Sequence, residues 1–183
     1  MNTIKPLHKR LILRPSDSEM RGCIFIPDQY KDASTACLVI AKGDDVNPLI
    51  KEGDVVLCQV GLGSRNAGHI EGTRDFWCKE ENVYAIIRDR KIYPFGRKIL
   101  IRRDIADEYH GTIVVPTNRR TQSLYGTIER IAVSRQPLRI SGVSQGMKIR
   151  LVEWMEHMIE VELEDGSYGL IVNDTDLLCA VEN

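Results

Sequence analysis

An internal repeat, with an offset of about ninety residues, constrains the fold more strongly than any other feature of the sequence. Residues 6–14 (PLHKRLILR) return as residues 94–102 (PFGRKILIR), 88 positions later. Residues 22–27 (GCIFIP) return as residues 111–116 (GTIVVP), 89 positions later. Landmarks that recur in the same order indicate a chain built from two similar units.

Two weaker matches extend the repeat. Residues 53–57 (GDVVL) match residues 146–150 (GMKIR) loosely, and residues 83–89 (VYAIIRD) align with residues 167–173 (SYGLIVN) at an offset of 84. The offset changes along the chain, so the loops between the landmarks differ in length. On this alignment the first unit has no clear counterpart of the segment that closes the second unit.

The local pattern within each unit is that of β-strands. Residues 11–13 and 99–101 are apolar runs of strand length. Residues 159–164 alternate apolar and acidic side chains ahead of Asp165-Gly166, which is typical of a β-hairpin. For residues 150–158 a short helix stays open as an alternative, because their apolar side chains have helical spacing.

Many short strands at near-regular spacing favour an all-β fold of two tandem domains, each a β-sandwich or a small β-barrel. We place these domains at residues 1–91 and 92–183. No Gly/Ser linker separates them, so we expect the two domains to pack closely against each other.

The charge of the chain is balanced in both units. Residues 1–91 carry 14 basic and 13 acidic side chains, and residues 92–183 carry 11 and 13. A chain without a basic region is not expected to bind nucleic acid or an anionic membrane surface. No apolar run is long enough to span a membrane as a helix.

The cysteines and histidines do not form a recognisable site. The five cysteines contain no C-x-x-C pair, which argues against a disulfide framework or a structural zinc site and favours a reducing compartment. The four histidines are scattered, and no nucleophile-elbow or phosphate-loop motif is present. We therefore predict that the protein is not an enzyme and has neither a metal nor a cofactor.

Four motifs in order resemble the GroES co-chaperonin family. The family opens with a strand of the form I-x-P-L-x-D-R-V, and residues 4–11 (IKPLHKRL) are similar. Its mobile loop contains G-G-I-V-L-P, which residues 22–27 and 111–116 resemble. Its V-G-D-x-V-L element is matched by residues 52–57 (EGDVVL), and its closing E-Y-L-I-L-x-E-x-D-I-L-A-V-I by residues 168–181 (YGLIVNDTDLLCAV).

The resemblance implies two GroES-like domains and a co-chaperonin that caps a GroEL-type chaperonin ring in an ATP-dependent cycle, assisting protein folding. ATP would then be bound by the chaperonin and not by this chain. An unfolded client protein would occupy the closed chamber, and the co-chaperonin would be a homo-oligomer, as a ring or dome. The implied chaperonin-binding residues are Ile24, Phe25, Ile26, Ile113, Val114 and Val115, flanked by Gly22, Pro27, Gly111 and Pro116.

The apolar triplets are residues 24–26 and 113–115, and the free energies of burial and of loop ordering are consistent with a binding role for them. Burying one such side chain contributes about 1.5–3 kcal/mol, but ordering a loop costs about 1–2 kcal/mol for each residue. A single loop should therefore bind weakly, and several loops presented together should bind well. The alternative is that both triplets are ordinary buried strands, for which IFI and IVV are suitable sequences.

The sequence also departs from the family pattern. The second unit has Met147 where the Gly-Asp element has its Asp, and the segments at the roof position, residues 44–51 and 134–144, are short. In the family the closing segment pairs with the opening strand of the neighbouring subunit. We expect a cytoplasmic protein, with the plastid stroma as the alternative. The competing function is a structural or assembly scaffold ring that uses the same fold without a chaperonin.

Overall fold

The computed structural model describes residues 5–16, 35–58, 67–104, 109–110, 113–114, 123–132, 138–153, 155 and 158–181. The strands in chain order are β1 (Arg10–Pro15), β2 (Thr35–Lys42), β3 (Val55–Cys58), β4 (Ala67–His69), β5 (Phe76–Lys79), β6 (Val83–Arg88), β7 (Lys91–Pro94), β8 (Lys98–Arg103), β9 (Tyr109–His110), β10 (Ile113–Val114), β11 (Tyr125–Ile131), β12 (Lys148–Leu151), β13 (Ile159–Glu162), β14 (Tyr168–Asn173) and β15 (Leu177–Ala180).

The prediction of an all-β fold is confirmed. In the described ranges the regular structure consists of strands and short 3₁₀ turns at Glu80–Asn82 and Asp174–Asp176, without an α-helix. The helix considered for residues 150–158 is therefore wrong for the part that is described, since Lys148–Leu151 is a strand. The hairpin predicted around Asp165-Gly166 is present, because β13 and β14 pair antiparallel across that turn.

Two large antiparallel sheets repeat the same strand order. The first sheet has the order β4-β5-β1-β2-β3-β6-β7, and the second has the order β13-β14-β8-β11-β12-β15. Each sheet places its opening strand, β1 or β8, between the second strand and a strand from the later part of the same unit. The repeat in the sequence therefore corresponds to a repeat in the strand topology of the two sheets.

The correspondence extends to irregular features of the backbone. The register between β1 and β2 shifts after Ile12, and the register between β8 and β11 shifts at the equivalent place, between Ile128 and Arg130. Gly53 and Gly146 both have a φ of 86°, a conformation that favours glycine. Their N–H groups donate to equivalent carbonyls, those of Val39 and Ile128, at 2.8 Å in both cases. The match between residues 53–57 and 146–150 is therefore correct in register.

The alignment of residues 83–89 with residues 167–173 is wrong. Strand β14 pairs with β8 as β5 pairs with β1, so the counterpart of β14 is β5 at an offset of 94. Strand β6 is the counterpart of β15, because β6 pairs with β3 as β15 pairs with β12, with an irregularity at the same point. The first unit therefore does contain the closing segment, as its Glu80–Asn82 turn followed by β6.

That segment was missed because its sequence has diverged. Residues 80–87 (EENVYAII) occupy the positions of residues 174–181 (DTDLLCAV), and the aromatic Tyr84 stands opposite Leu178. Segments 83–89 and 167–173 each have a tyrosine at their second position, which favours aligning Tyr84 with Tyr168. The correct alignment follows from the register of the hydrogen-bonded strands, which cannot be read from the sequence alone.

A tight hairpin ends the first sheet, just before the chain enters the second sheet. Strand β6 turns at Asp89 and Arg90, whose φ angles are both positive (49° and 62°), into β7. Positive φ at both central residues is the geometry of a type I′ hairpin turn. The first sheet ends with β7 at Pro94, and the second begins with β8 at Lys98. The division after residue 91 falls within β7, and the assignment of two domains stays a prediction.

In the part of the chain that the structure describes, the buried apolar side chains form three clusters, and one of these joins the two sheets. Leu57, Tyr84 and Ala85 of the first sheet pack in this cluster with Leu100 and other residues of the second sheet. Burial of apolar surface is the main favourable contribution to folding. The two sheets are thus held by a continuous apolar contact and not only by the covalent connection.

The side chain of Phe95 extends the contact between the two units into the first core. The residue follows β7 and belongs to the repeated opening segment of the second unit, yet its side chain is 4% exposed and packs with the first core, which includes Leu11, Ile50 and Val83. Its N–H donates to the carbonyl of Tyr84 at 2.9 Å. The first core is therefore completed by a residue of the second unit.

We predict that Phe95→Ala destabilises the protein by about 3–5 kcal/mol, because truncating a buried phenylalanine removes apolar contacts and leaves a cavity. Urea unfolding followed by circular dichroism measures this change. Tyr168→Ala is the control, since the side chain of Tyr168 is 60% exposed and its truncation should change stability little. Equal effects of the two variants would contradict a core role for Phe95.

Candidate functional site

The predicted binding residues belong to two equivalent loops, each between an opening strand and the strand that follows it. The first loop connects β1 to β2 and the second connects β8 to β11. Eight of the ten predicted residues lie outside the described part of the chain, namely Gly22, Ile24, Phe25, Ile26, Pro27, Gly111, Val115 and Pro116.

The other two predicted residues, Ile113 and Val114, form strand β10. This strand pairs with β9, with Ile113 opposite His110 and Val114 opposite Tyr109. The ribbon of β9 and β10 is a separate two-stranded sheet within the described structure. The backbone of Ile113 and Val114 is therefore extended, in a strand that belongs to neither of the two large sheets.

The neck of each loop is the pair of backbone segments where the loop leaves the sheet, and the two necks are equivalent. The N–H of Ser16 donates to the carbonyl of Ala36 at 2.9 Å, and the N–H of Asp104 donates to the carbonyl of Tyr125 at 3.0 Å. These two bonds are at corresponding positions in the repeat. Each neck continues the pairing of the central strands, so the base of each loop is fixed by the sheet.

An arginine stands at the base of each loop, at the end of the opening strand. Arg14 makes a bidentate contact to the Asp75 carboxylate, with distances of 2.8 and 3.1 Å. The hydrogen bond from Arg14 lowers the pKa of Asp75 below its ordinary value of 3.8. A bidentate arginine–carboxylate pair fixes orientation as well as charge, so it ties the base of the first loop to the segment before β5.

Arg102 is the counterpart of Arg14 and has a different set of partners. It contacts Glu129 at 3.1 Å, the hydroxyl of Ser167 at 2.9 Å and the carboxylate of Asp165. Hydrogen bonds from Ser167 and Arg102 hold the pKa of Asp165 well below its usual range. The same position is thus anchored in both units although the carboxylates come from different places in the sequence.

Three buried cysteines lie in the first core beneath the neck. The Sγ atoms of Cys37 and Cys58 are 3.7 Å apart, and Cys78 is also fully buried. Burial, with a contribution from Cys37, raises the pKa of Cys78 to about 12. The Cys78 thiol therefore stays protonated near neutral pH and packs as an apolar group. Among the described residues no group of histidine, cysteine and carboxylate side chains is placed to hold a metal ion.

A cleft of about 550 Å³ lies where the two sheets meet. Its lining mixes basic side chains, including Lys9, Arg97 and Lys98, with acidic ones, including Glu80 and Asp174. The lining carries charges of both signs, so it shows no preference for an anionic or a cationic ligand. The cleft lies at the contact between the two units.

Lys98, which lines this cleft, lies over the aromatic ring of Tyr84. The Nζ atom of Lys98 lies 4.4 Å from the centre of the Tyr84 ring and donates to the side-chain oxygen of Asn173. Burial lowers the pKa of Lys98 and raises the pKa of Tyr84 to about 12. A cation over an aromatic face stabilises the contact between the two sheets.

Sequence reasoning found the loops but missed their anchors. Arg14 and Arg102 both lie inside the repeated opening motif, so their recurrence was a usable signal. Their partners Asp75 and Asp165 do not correspond in the repeat, and only the fold brings them to the arginines. Phe95 and its counterpart Leu7 were also missed, although both follow the repeated proline.

Comparison with known proteins identifies the family. A family model described as "Chaperonin 10 Kd subunit" matches residues 3–87. The co-chaperonin GroES of Rickettsia prowazekii (strain Madrid E) is 32% identical over 95 residues, which are 46% of this chain and 98% of that protein. This chain belongs to the chaperonin 10 family.

Family membership sets the general role of the protein. Chaperonin 10 proteins are co-chaperonins, a family of chaperones and not of enzymes. The region matched by the family model ends within β6, so it includes the first loop and the closing segment of the first unit. In the described ranges no helix is long and apolar enough to cross a membrane.

We predict that Asp75→Asn lowers the melting temperature by a few degrees at pH 7, because it removes the charge that Arg14 binds. The folded-state pKa of Asp75 is lowered, so the carboxylate stabilises the fold above its ordinary pKa of 3.8, and this contribution is lost as the pH falls through the folded-state pKa. Thermal unfolding of wild type and variant at pH 7 and near pH 2 measures the difference, which should shrink in acid.

Asp44→Asn is the matched control for this experiment. Asp44 pairs with Lys5 at 3.2 Å, but both side chains are largely exposed, at 79% and 67%. Exposed ion pairs contribute little to stability. A variant at Asp44 that lost as much stability as Asp75→Asn would contradict a special role for the loop anchor.

Proposed function

We propose that this chain is a tandem co-chaperonin that caps a GroEL-type chaperonin ring in an ATP-dependent cycle. Each of its two GroES-like domains presents one loop, and the apolar triplets of these loops dock on the chaperonin. The observation that carries the proposal is the equivalence of the two loop bases within a chain of the chaperonin 10 family. A loop whose base is fixed can present its tip at a defined place.

The binding residues in this proposal are those of the two triplets. In the first loop they are Ile24, Phe25 and Ile26, and in the second they are Ile113, Val114 and Val115. The pairing of β10 with β9 supports an extended backbone at Ile113 and Val114. An extended apolar triplet can insert alternate side chains into a partner's groove and use its backbone groups for hydrogen bonds.

The proposal assigns nucleotide chemistry to the partner. ATP binds to the chaperonin, and its cycle controls when the loops dock and leave. This chain then needs no cofactor of its own, and its client is an unfolded protein enclosed in the chamber. Several copies act together as a ring or dome, so that weak single-loop contacts add up to firm binding.

We further propose a reducing compartment, the bacterial or phage-infected cytoplasm, as the place of action. Among the described residues, Cys37, Cys58, Cys78 and Cys179 form no disulfide bond, and cysteines kept out of disulfides are typical of such compartments. The relative from Rickettsia prowazekii is a bacterial protein. The plastid stroma is the alternative location.

Gel filtration with a GroEL-type chaperonin, with and without ATP, tests the central claim. A complex that forms only with nucleotide would support the lid function, and its stoichiometry would give the number of chains for each chaperonin ring. If no complex forms with any chaperonin, the cognate one included, the lid function is rejected. A scaffold ring would then be the better explanation.

We predict that Phe25→Asp weakens chaperonin binding by about tenfold or more, because burying a phenylalanine contributes about 1.5–3 kcal/mol and a buried unpaired carboxylate adds a penalty. Phe25→Leu is the matched control and should retain most of the binding. Co-sedimentation measures the affinity, and gel filtration of the free protein checks that its assembly is unchanged. Normal binding by Phe25→Asp would remove Phe25 from the docking surface.

The second loop is tested in the same way. Val114→Asp alone and together with Phe25→Asp shows whether one loop or both dock on the chaperonin. If both loops contribute independently, the free-energy changes of the single variants should add in the double variant. A double variant no weaker than Phe25→Asp would limit docking to the first loop.

A further inference from the structure

Two of the buried cysteines in the first core touch each other. The Sγ atoms of Cys37 in β2 and Cys58 in β3 are 3.7 Å apart, and both side chains are fully buried. Strands β2 and β3 pair antiparallel, with Cys37 opposite Val56 and Thr35 opposite Cys58. The two cysteines are therefore diagonal neighbours on the face of the sheet that forms the first core.

The local backbone allows these two sulfur atoms to come closer. A disulfide bond is about 2.05 Å long and joins Cα atoms up to about 6.8 Å apart, whereas diagonal neighbours in a regular antiparallel pair are about 7–8 Å apart. The end of β3 must therefore move toward β2 by about 1 Å. Cys58 is the last residue of β3, and the register between β3 and β6 shifts between Leu57 and Cys58. A strand bends at such an irregularity, so this end can shift while the rest of β3 keeps its pairing.

Cys78 is the third buried thiol of this core, but it lies on a different part of the sheet. It belongs to β5 and is opposite Leu11 of β1, and β1 separates β5 from β2 in the strand order. Cys37 and Cys58 are on directly paired strands and are in contact. Their sulfur atoms, and not that of Cys78, are therefore the ones placed to join.

The pair lies at the neck of the first loop. Cys37 directly follows Ala36, whose carbonyl accepts the N–H of Ser16 at 2.9 Å. This hydrogen bond closes the neck between the two strands that carry the loop. A covalent bond from Cys37 to Cys58 would tie the same point to β3, so three successive strands would be joined at the base of the loop.

The corresponding positions of the second unit carry no thiol. Gly126 corresponds to Cys37, because it pairs with β8 as Cys37 pairs with β1. Leu151 corresponds to Cys58, because it pairs with β15 as Cys58 pairs with β6. A reaction of the thiol pair would therefore change the base of the first loop and leave the base of the second loop as it is.

We propose that Cys37 and Cys58 are an oxidation site, at which a reversible disulfide closes the neck of the first loop. The oxidant is a small disulfide of the glutathione type. A thiolate of the pair attacks one sulfur of the oxidant, which forms a mixed disulfide and releases one glutathione thiol. The other protein thiolate then attacks the protein sulfur of the mixed disulfide, which forms the Sγ–Sγ bond and releases the second glutathione thiol. The two protein thiols lose two electrons and two protons, and the oxidant takes up both.

The site responds slowly while the core is closed. The thiolate is the attacking species, and a hydrogen bond to Cys37 together with burial raises the pKa of Cys58 well above its ordinary value. Thiolates are therefore scarce near neutral pH, and the packed core keeps the oxidant away from them. The disulfide forms during folding or when the neck opens, and it is reduced by the same route. In a reducing compartment the pair is held as thiols until the proportion of disulfide oxidant rises.

Refolding in glutathione buffers tests the pairing. The full chain with Cys23→Ser and Cys179→Ser is unfolded in urea, refolded at fixed ratios of oxidised to reduced glutathione, and alkylated, and its peptides are mapped by mass spectrometry. The expected product is a pair of peptides joined through Cys37 and Cys58, lighter by two hydrogens than the two reduced peptides and separated by dithiothreitol. Its fraction should rise with the proportion of oxidised glutathione.

Cys58→Ala and Cys78→Ala in this background are matched variants, since each removes one fully buried thiol from the same core. The disulfide should be lost in Cys58→Ala and kept in Cys78→Ala. The oxidised form of Cys78→Ala should melt about 5 °C or more above its reduced form, because a disulfide that closes a segment of roughly twenty residues restricts the unfolded chain. Cys58→Ala should melt at the same temperature in both buffers, and circular dichroism should show both variants folded.

Three results would overturn the proposal. They are a main cross-link through Cys78, thiols of Cys37 and Cys58 that stay reduced after refolding in oxidised glutathione alone, and an oxidised form of Cys78→Ala that melts no higher than its reduced form. The last result would mean that the fold does not accommodate the bond. The disulfide site is independent of chaperonin binding, so the failure of either proposal leaves the other unchanged.

Discussion

The placement of β7 and Phe95 in the first unit is the contact on which the rest of the described structure depends. Phe95 completes the first core, and the cluster around Leu57, Tyr84 and Leu100 joins the two sheets. Small β-domains bury only a modest fraction of their apolar surface. Each unit here buries apolar side chains against its neighbour, which adds to the burial that each sheet achieves by itself.

This shared core gives the two loops a fixed frame. Each loop starts and ends on paired central strands, and an arginine anchored by carboxylates stands at its base, Arg14 in one unit and Arg102 in the other. In the proposed function, such a base would present each loop at a defined place, and several loops together would supply the affinity that a single loop lacks.

The two units share their strand order and register but differ in the residues that form their cores. The buried thiols of Cys37, Cys58 and Cys78 occupy positions that Gly126, Leu151 and Val172 hold in the second unit. The three positions are buried in both units, but their residues differ in volume, so the two cores are packed differently. Hydrogen-bond register and glycine positions persist because a one-residue slip would turn every side chain to the wrong face.

The sequence by itself determined the all-β class, the two units and the two loops, because apolar runs, turn residues and repeated motifs are local signals. It could not determine the closing segment of the first unit, where Glu80–Asn82 and β6 had diverged in sequence but not in pairing. Nor could it place Asp75 on Arg14 or Phe95 in the first core. Those contacts join residues that are distant in the chain, and only the tertiary structure decides which distant residues meet.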